Sequence, residues 1–146
     1  MSPAGSGAAP EEVRERVSRA RVGRLATVRE DHRPHIVPVT FALDGDMLVS
    51  AVDQKPKRTH DLLRLRNIDA NPAVSLLIDQ YDDEWSRLWW VRLDGVARVA
   101  RAEPTRSAAA RPLVDKYPQY RDAPPAGPVV QVRVTSWTWW SATCPR

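Results

Sequence analysis

The segment between residues 24 and 52 contains three apolar stretches that are separated only by short polar turns. The stretches are Arg24–Val28, Pro34–Leu43 and Met47–Val52, and each contains β-branched residues. Asp44-Gly45-Asp46, between the second and third stretches, is typical of a β-hairpin turn. Because such tight turns join antiparallel strands, the sequence predicts an antiparallel meander here.

Pro38 interrupts the second of these strands. Proline has no N–H group, so it cannot donate a hydrogen bond to a neighbouring strand. The residue therefore marks the edge of the sheet, a bulge, or a place where backbone is left free for a ligand.

The rest of the chain adds three strands and about three helices, with no internal repeat. The later strands are predicted at Ala73–Asp79, Arg87–Ala100 and Pro128–Trp140, with a bulge or bend at Gly95. The continuous apolar run of Ala73–Asp79 predicts a central position in the sheet. Helices are expected after Pro10, after the basic segment as far as Asn71, and over Thr105–Lys116, and residues 118–128 are expected to form a loop. The composition predicts a disordered tail over residues 1–9, a single domain over 10–141 and a C-terminal tail over 142–146. These elements indicate a mainly β fold, a small six-stranded antiparallel barrel with short peripheral helices.

A basic segment lies between the third strand and the second helix. Lys55, Lys57 and Arg58 fall within four positions, around a proline, where the helix is about to begin. Free N–H groups at a helix start, together with Lys and Arg, suit a phosphate or a carboxylate. A solvated basic turn explains the charge equally well. Arg64 and Arg66 add cations to the helix but face about 200° apart.

The charge and composition limit the classes of partner. The net charge is +4, but most of it is dispersed arginine, and only residues 55–66 form a cluster. An anionic small molecule fits this pattern better than nucleic acid does. The single cysteine excludes an internal disulfide, and no apolar run approaches the roughly 20 residues of a membrane span. The N-terminus lacks the order of a signal peptide, so we expect a cytoplasmic protein with no membrane partner.

Motifs for side-chain catalysis are missing from the sequence. The three histidines, His32, His35 and His60, lack metal-ligand spacing, and there is no GxSxG, GxGxxG or P-loop motif. The acidic run Asp82-Asp83-Glu84 is interpreted as a solvated loop rather than a cation site. No catalytic side chain is identified and no metal is expected, so the chemistry is expected to come from a bound cofactor.

The chain contains six tryptophans in two groups, at 85–90 and at 137–140. Strand alternation places Trp137 and Trp139 on one face of the last strand and Trp140 on the other. A core or a dimer interface would account for at least half of them, because aromatic side chains bury large areas. A flat heteroaromatic cofactor would also be bounded by such side chains.

Four stretches of the sequence carry a resemblance to a known family. They are RVGRLATVREDHRPHIVPVTFALDGDMLVSAVDQK at 21–55, KPKRTHDLLRLRNIDANPAVSLLID at 55–79, DDEWSRLWWVRLDGVARV at 82–99, and the terminal WTWW at 137–140. Over residues 11–141 the chain resembles the split-barrel flavin-binding proteins related to pyridoxamine-phosphate oxidase. The nearest branch is that of the oxidoreductases that depend on the deazaflavin coenzyme F-420.

This resemblance implies an FMN-binding split barrel that forms a homodimer, with two cofactor sites at the interface between the subunits. It also implies which residues bind the cofactor, with Trp90 offered to the ring by the other subunit. The implied cofactor-binding residues are Val37, Pro38, Val39, Thr40, Ser50, Ala51, Lys55, Lys57, Arg58, Thr59 and Trp90.

The function implied by the resemblance is an oxidoreductase that uses F-420 to transfer hydride to a small conjugated substrate. Two alternatives stay open, an FMN-dependent oxidoreductase of the same fold and a non-enzymatic carrier or sensor of a flavin or deazaflavin. Thr40 stands where flavin oxidases of the family have a lysine, and the C-terminal strand lacks their substrate-binding arginine pattern. Pyridoxamine phosphate is therefore a doubtful substrate, and we expect substrate contacts from residues 82–86 and 118–128.

Overall fold

The computed structural model describes residues 5–52 and 59–143, and it shows an antiparallel sheet that curls around a single apolar interior. The strands are β1 (Gly5–Gly7), β2 (Gly23–Val28), β3 (Pro34–Val39), β4 (Ala42–Asp44), β5 (Met47–Ala51), β6 (Ala73–Gln80), β7 (Trp89–Ala100) and β8 (Val129–Ser141). The helices are α1 (Glu11–Arg19), α2 (Thr59–Ala70), α3 (Thr105–Lys116) and α4 (Pro118–Asp122), with one 3₁₀ turn at Trp85–Arg87.

The order of the strands is β3-β2-β6-β7-β8-β5-β4, and β1 pairs with β8. Each pairing is antiparallel. Only Thr40 and Phe41 separate β3 from β4, so the chain passes directly from one end of the sheet to the other. The connection joins the two ends of the curled sheet covalently, but β3 and β4 do not pair with each other, so the barrel is split between them. The predicted mainly β split barrel is confirmed.

The described chain has eight strands rather than the six predicted, because one predicted strand is divided and one was missed. The stretch Pro34–Leu43 divides at Thr40, whose carbonyl accepts the Ser50 hydroxyl at 2.7 Å. The next N–H group, that of Phe41, donates to the Tyr117 hydroxyl at 3.1 Å. These bonds to side chains replace the hydrogen bonds of the sheet at the point where the chain stops pairing with β2 and begins to pair with β5.

Two segments that were expected to be irregular contain regular structure. Within the predicted tail 1–9, the residues of β1 pair with β8, and Gly5 lies opposite Trp139. A side chain at Gly5 would overlap the Trp139 indole, so the glycine allows the two strands to approach. Within the predicted loop 118–128, α4 begins at Pro118, a residue whose fixed φ suits the first turn of a helix.

The barrel interior forms the main core, and a second core lies outside the sheet. Inward side chains such as Leu25, Leu76, Leu93 and Trp137 are almost fully buried, together with Val17 of α1. The second core forms where α3 packs on β5 and the start of β8; its members include Val49, Ala51, Ala110, Leu113 and Val129. The small residues of α3 let the helix lie close to the sheet.

A β-bulge interrupts the long β7–β8 ladder. Asp94 lies opposite Ser136 and Gly95 opposite Val134, so Thr135 is an extra residue in β8. A Cβ atom on Gly95 would lie 2.5 Å from the backbone oxygen of Arg133. The bend or bulge predicted at Gly95 is confirmed, and the close approach of backbone explains the glycine.

Three further predictions are confirmed by the strand order and the turns. Pro38 lies opposite Arg24 in β3, which is the last strand at one end of the sheet. β6, predicted as a central strand, lies between β2 and β7. Gly45 has a φ of +60° in the turn between β4 and β5, a conformation that glycine adopts without strain.

None of the helices in the described ranges has the length and apolar composition needed to cross a membrane. In α2, Arg64 is 7% exposed and Arg66 is exposed, so the two guanidinium groups face different surroundings, as their spacing predicts.

Candidate functional site

A groove with a volume of about 540 Å³ lies on the outer face of the sheet, where β2, β6, β7 and the end of β8 run side by side. Its walls are mainly apolar. Trp90 and Trp140 lie directly opposite each other on β7 and β8. Leu77, Ala26 and Ile36 continue the apolar surface across β6, β2 and β3.

Strand alternation and register together bring these residues to one face. Asp79, Trp90 and Trp140 form one row across three strands, because β6 pairs with β7 and β7 with β8. The neighbouring row contains Arg24, Leu77 and Arg92. Residues that alternate with these point into the barrel core. The groove is therefore the outward surface of the strands whose inward side chains make the core.

Charged pairs lie among the apolar groups of the groove. Arg24 donates to the carboxylate of Asp79 at 3.0 Å. On the next strands, the Arg92 guanidinium donates to Asp94 at 3.1 Å, and the Ser75 hydroxyl donates to the other oxygen of Asp94. These polar groups can orient a bound molecule, whereas the indoles and aliphatic side chains can cover its faces.

Large apolar side chains remain accessible on this face. Ile36 is 61% exposed, and Trp90 and Trp140 are partly exposed. α1 and α2 contribute to the barrel core, and α3 packs on the outer side of β5. Within the described ranges, the groove is thus the apolar part of the sheet that the helices leave open, which is a feature of interaction surfaces.

The loop between β6 and β7 forms one rim of the groove. Tyr81, Leu88 and Trp89 line the groove at this rim, and the Trp89 indole N–H donates to the Gln80 side chain at 3.2 Å. In the acidic run, Asp82 and Glu84 both lie within ion-pair distance of Arg87. Within residues 5–52 and 59–143, no three His, Cys, Asp or Glu side chains are grouped so that they could hold a metal ion.

The residues predicted at the β3–β4 connection lie close to one another. Val39 is buried in the barrel core, Val37 packs against the same core, and Pro38 is exposed. The Thr40 hydroxyl lies 2.9 Å from the Tyr120 hydroxyl, and the Thr40 carbonyl accepts the Ser50 hydroxyl. Thr40 and Ser50 thus contact each other, as two residues of one site should. The Thr40 hydroxyl and carbonyl are both hydrogen-bonded to other side chains of the chain.

The other predicted site residues lie at the end of β5, in the basic segment, at the start of α2 and on β7. Ala51 ends β5 and is buried against α3, directly before the basic segment. Thr59 begins α2, but its side chain lies outside the described residues. Lys55, Lys57 and Arg58 also lie outside them. Trp90 lines the groove.

The predicted residues therefore fall into two groups. Trp90 lies in the groove on the outer face of β7, whereas Val37, Thr40 and Ser50 lie at the β3–β4 connection and do not line that groove. One copy of the described chain does not bring the two groups into one pocket.

The sequence-based prediction missed several residues of the groove. They are Arg24, Ala26, Ile36, Ser75, Leu77, Asp79, Gln80, Tyr81, Leu88, Trp89, Arg92 and Trp140. A signal for some of them was present: in Ala73–Asp79 the alternate positions that face outward include the apolar Leu77. The face of Trp140 was predicted, but its pairing with Trp90 depends on a strand register that sequence alone does not specify.

Lys116 and Tyr117, at the end of α3, form hydrogen bonds to the backbone of the β3–β4 connection and of the segment that precedes β2. The Lys116 ammonium donates to the carbonyls of Ala20 and Phe41, at 2.6 and 3.0 Å. The Tyr117 hydroxyl lies 2.9 Å from the carbonyls of Arg21 and Phe41. Burial, with a contribution from the nearby Arg21 charge, lowers the pKa of Lys116 to about 8. These contacts fix the backbone of Phe41, the residue after Thr40. They therefore also position the backbone at Thr40, which is predicted to contact the ring.

Comparison with known proteins identifies the family. A sequence model described as pyridoxamine 5'-phosphate oxidase matches residues 9–141, nearly the whole chain. The chain belongs to this family. No curated protein has a sequence that matches this member of the pyridoxamine 5'-phosphate oxidase family significantly.

Solved structures show the same fold in other proteins. An F420 reductase is 28% identical to this family member, with a TM-score of 0.62, and the match covers 88% of this chain and 98% of that one. The conserved hypothetical protein Rv2991 from Mycobacterium tuberculosis has a TM-score of 0.75 at 19% identity, covering 98% and 92% of the two chains. The FAD binding protein from Mycobacterium smegmatis has a TM-score of 0.60 at 19% identity, covering 91% and 94%.

Proposed function

We propose that this protein is an oxidoreductase that binds coenzyme F-420 and transfers hydride to a small conjugated substrate. The observation that carries the proposal is the groove of about 540 Å³ that the Trp90–Trp140 pair borders on the open face of the sheet. Its volume lies within the range of roughly 300–1,000 Å³ that is usual for cofactor and ligand pockets.

The residues of the groove suit a flat tricyclic ring. Trp90, Trp140 and Leu77 supply apolar and aromatic surface, against which a ring face can pack. Arg92 and Arg24 supply donors at the edges of this surface, although both are engaged with carboxylates. A bound deazaflavin supplies two-electron hydride chemistry, which agrees with a chain whose sequence carries no motif for side-chain catalysis.

A complete cofactor site in this proposal needs two copies of the chain. The groove and the β3–β4 connection are separate in one copy, and the groove is an exposed apolar face. A two-fold dimer would cover this face and would bring Trp90 of one copy toward Thr40 and Ser50 of the other. The basic segment follows directly on β5, so in this arrangement it would supply cations for the phosphate end of the cofactor.

We expect the protein to be a dimer at micromolar concentration, because an isolated copy would expose Ile36, Trp90 and Trp140 to water. Light scattering combined with size-exclusion chromatography measures the mass. The variant I36D should shift the mass toward that of the monomer, whereas V22D, which alters an exposed valine outside the groove, should leave it unchanged. A stable wild-type monomer would contradict an interface site.

We further expect tighter binding of F-420 than of FMN. The F-420 tail carries a phosphodiester and a polyglutamate, whereas FMN carries one phosphate, and the basic segment has more cations than one phosphate requires. Salt screens such contacts, so the preference should shrink as ionic strength rises. Fluorescence and absorbance titrations with both compounds over a salt series test this expectation. Equal or tighter binding of FMN throughout would favour the FMN-dependent alternative.

A third measurement separates an enzyme from a carrier. The protein is loaded with reduced F-420 and mixed, without oxygen, with a panel of conjugated enones and quinones. Oxidation of the coenzyme that accelerates with protein and depends on the acceptor supports the oxidoreductase. Binding of F-420 with no such acceleration across the panel would support the carrier.

A further inference from the structure

A second pocket, of about 250 Å³, lies on the outer face of the sheet beyond the β-bulge. Met47 of β5 and Val96 of β7 form its apolar part, and Arg133 of β8 lies opposite both of them in the strand register. Arg98 and Gln131 form a neighbouring pair on β7 and β8. The pocket thus combines two guanidinium groups, one amide and a small apolar surface.

The two arginines occupy diagonal positions on adjacent strands. Arg98 pairs in register with Gln131, and Arg133 is two residues further along β8. Diagonal neighbours of this kind lie about 7–8 Å apart, within reach of long side chains. Both residues are exposed and belong to the same face. Two exposed guanidinium groups at this spacing repel each other weakly in water, and an anion bound between them would offset that repulsion.

In the described part of the chain, no Asp or Glu side chain forms an ion pair with Arg98 or Arg133. The residues of those ranges that line the pocket include no acid. Arg98 donates its Nε hydrogen to the Gln131 side chain at 3.1 Å, which leaves its terminal nitrogens available. The Arg133 side chain makes no hydrogen bond or ion pair with another described residue.

Of the acidic side chains near the pocket, two are engaged elsewhere, and the third, Asp44, lies opposite Met47 on β4, on the side of β5 away from β8. Asp46 precedes Met47 but pairs with Arg14 at 2.8 Å. Asp94 lies two residues before Val96 but is bound by Arg92 and Ser75. The arginines of this pocket therefore differ from Arg14 and Arg92, which have carboxylate partners.

The bulge fixes the position of the Arg133 backbone. Gly95 and the Arg133 backbone are in such close contact that a side chain on Gly95 would overlap the Arg133 carbonyl. The pocket is separate from the groove, because no described residue lines both and their nearest lining residues on β7, Arg92 and Val96, are four positions apart, or about 13 Å at roughly 3.3 Å per residue. The second pocket is thus a separate feature of the sheet.

We propose that this pocket is a second anion-binding site, which takes a phosphate or carboxylate group attached to a small apolar body. Two guanidinium groups can both donate to one oxyanion, and each presents its hydrogens in a planar fork that matches the oxygens. The Gln131 amide adds a donor that Arg98 helps to orient. Met47 and Val96 receive the apolar body. The proposal is independent of the nature of the cofactor in the groove.

The test uses the full chain, labelled with nitrogen-15, and follows amide signals by nuclear magnetic resonance. The probes are inorganic phosphate, phenyl phosphate and benzoate, with sodium chloride at matched ionic strength as the reference. We expect saturable shifts at residues 96–98 and 131–133, with phenyl phosphate binding more tightly than inorganic phosphate. Comparison of phenyl phosphate with benzoate identifies the preferred head group.

The double variant R98Q/R133Q should weaken phenyl phosphate binding at least tenfold. The control R19Q/R111Q removes the same charge from exposed residues of α1 and α3, and it should bind like the wild type. Shifts that do not saturate, that match those caused by chloride, or that persist in R98Q/R133Q would overturn the proposal. Loss of binding in both double variants would also overturn it, because net charge alone would then explain the affinity.

Discussion

The variant K57A/R58A is expected to bind F-420 at least tenfold more weakly than the wild type. Charge-assisted hydrogen bonds to phosphate contribute about 1.4 kcal/mol or more, and that free energy corresponds to a factor of ten in affinity. Both residues belong to the basic segment that follows β5. The dissociation constant is measured by fluorescence titration at low and at high salt.

A matched control separates a specific phosphate contact from net charge. The variant R19A/R111A removes two positive charges from exposed positions on α1 and α3. We expect it to retain wild-type affinity within about a factor of two, because long-range attraction is weak at physiological salt. Equal affinities for K57A/R58A and the wild type, with the fold intact by circular dichroism, would exclude the basic segment as the phosphate site.

The variant G95A is expected to lower the free energy of unfolding by about 3 kcal/mol, at the upper end of the usual cost of overpacking. The added methyl group would meet the Arg133 carbonyl oxygen at 2.5 Å and a Val132 methyl group at 2.7 Å. A backbone carbonyl in the middle of a ladder cannot rotate away. The β7–β8 pairing would have to separate at the bulge, and urea unfolding measures the loss.

The matched control for this substitution is G23A in β2. Gly23 is also buried in a strand, but the three atoms nearest to an added methyl group there are all in the Leu76 side chain, at 3.1–3.3 Å. A leucine side chain can shift by a few tenths of an ångström, so we expect a clearly smaller loss of stability. If G95A and G23A unfold at the same urea concentration, the close backbone approach at the bulge does not limit stability.

The sequence predicts the strands of this fold well because their signals are local. Asp44-Gly45-Asp46 predicts a hairpin, and Pro38 predicts an edge, a bulge or free backbone, of which the structure shows the edge. The bounds of α3 were predicted at Thr105 and Lys116, where the structure has them. In each case the deciding interaction lies within a few residues along the chain.

The missed features of the fold depend on contacts between distant residues. β1 exists because Gly5 can lie against Trp139, more than 130 positions away. The break between β3 and β4 depends on bonds from Ser50 and Tyr117. The alternation of apolar and polar residues does not predict such contacts, because it indicates only which face of a strand or helix a residue occupies.

The same limit applies to the candidate site. Trp90 was predicted as a site residue from the resemblance to the family, and the structure places it in the groove. Trp140 becomes its neighbour only through the β7–β8 register, which includes one extra residue at Thr135. A prediction that ignores this bulge shifts the pairing by one position and places a different residue beside Trp90.

The prolines of β3 have a consequence for how this protein can assemble. Pro34 and Pro38 are four residues apart, so their nitrogens point in the same direction, away from β2. Of the positions 34, 36 and 38 along that outer edge, only Ile36 retains an N–H donor. An extended chain arriving at the edge would find too few donors to continue the sheet. The protein can therefore expose an apolar face with a low risk of open-ended β-polymerisation through this strand.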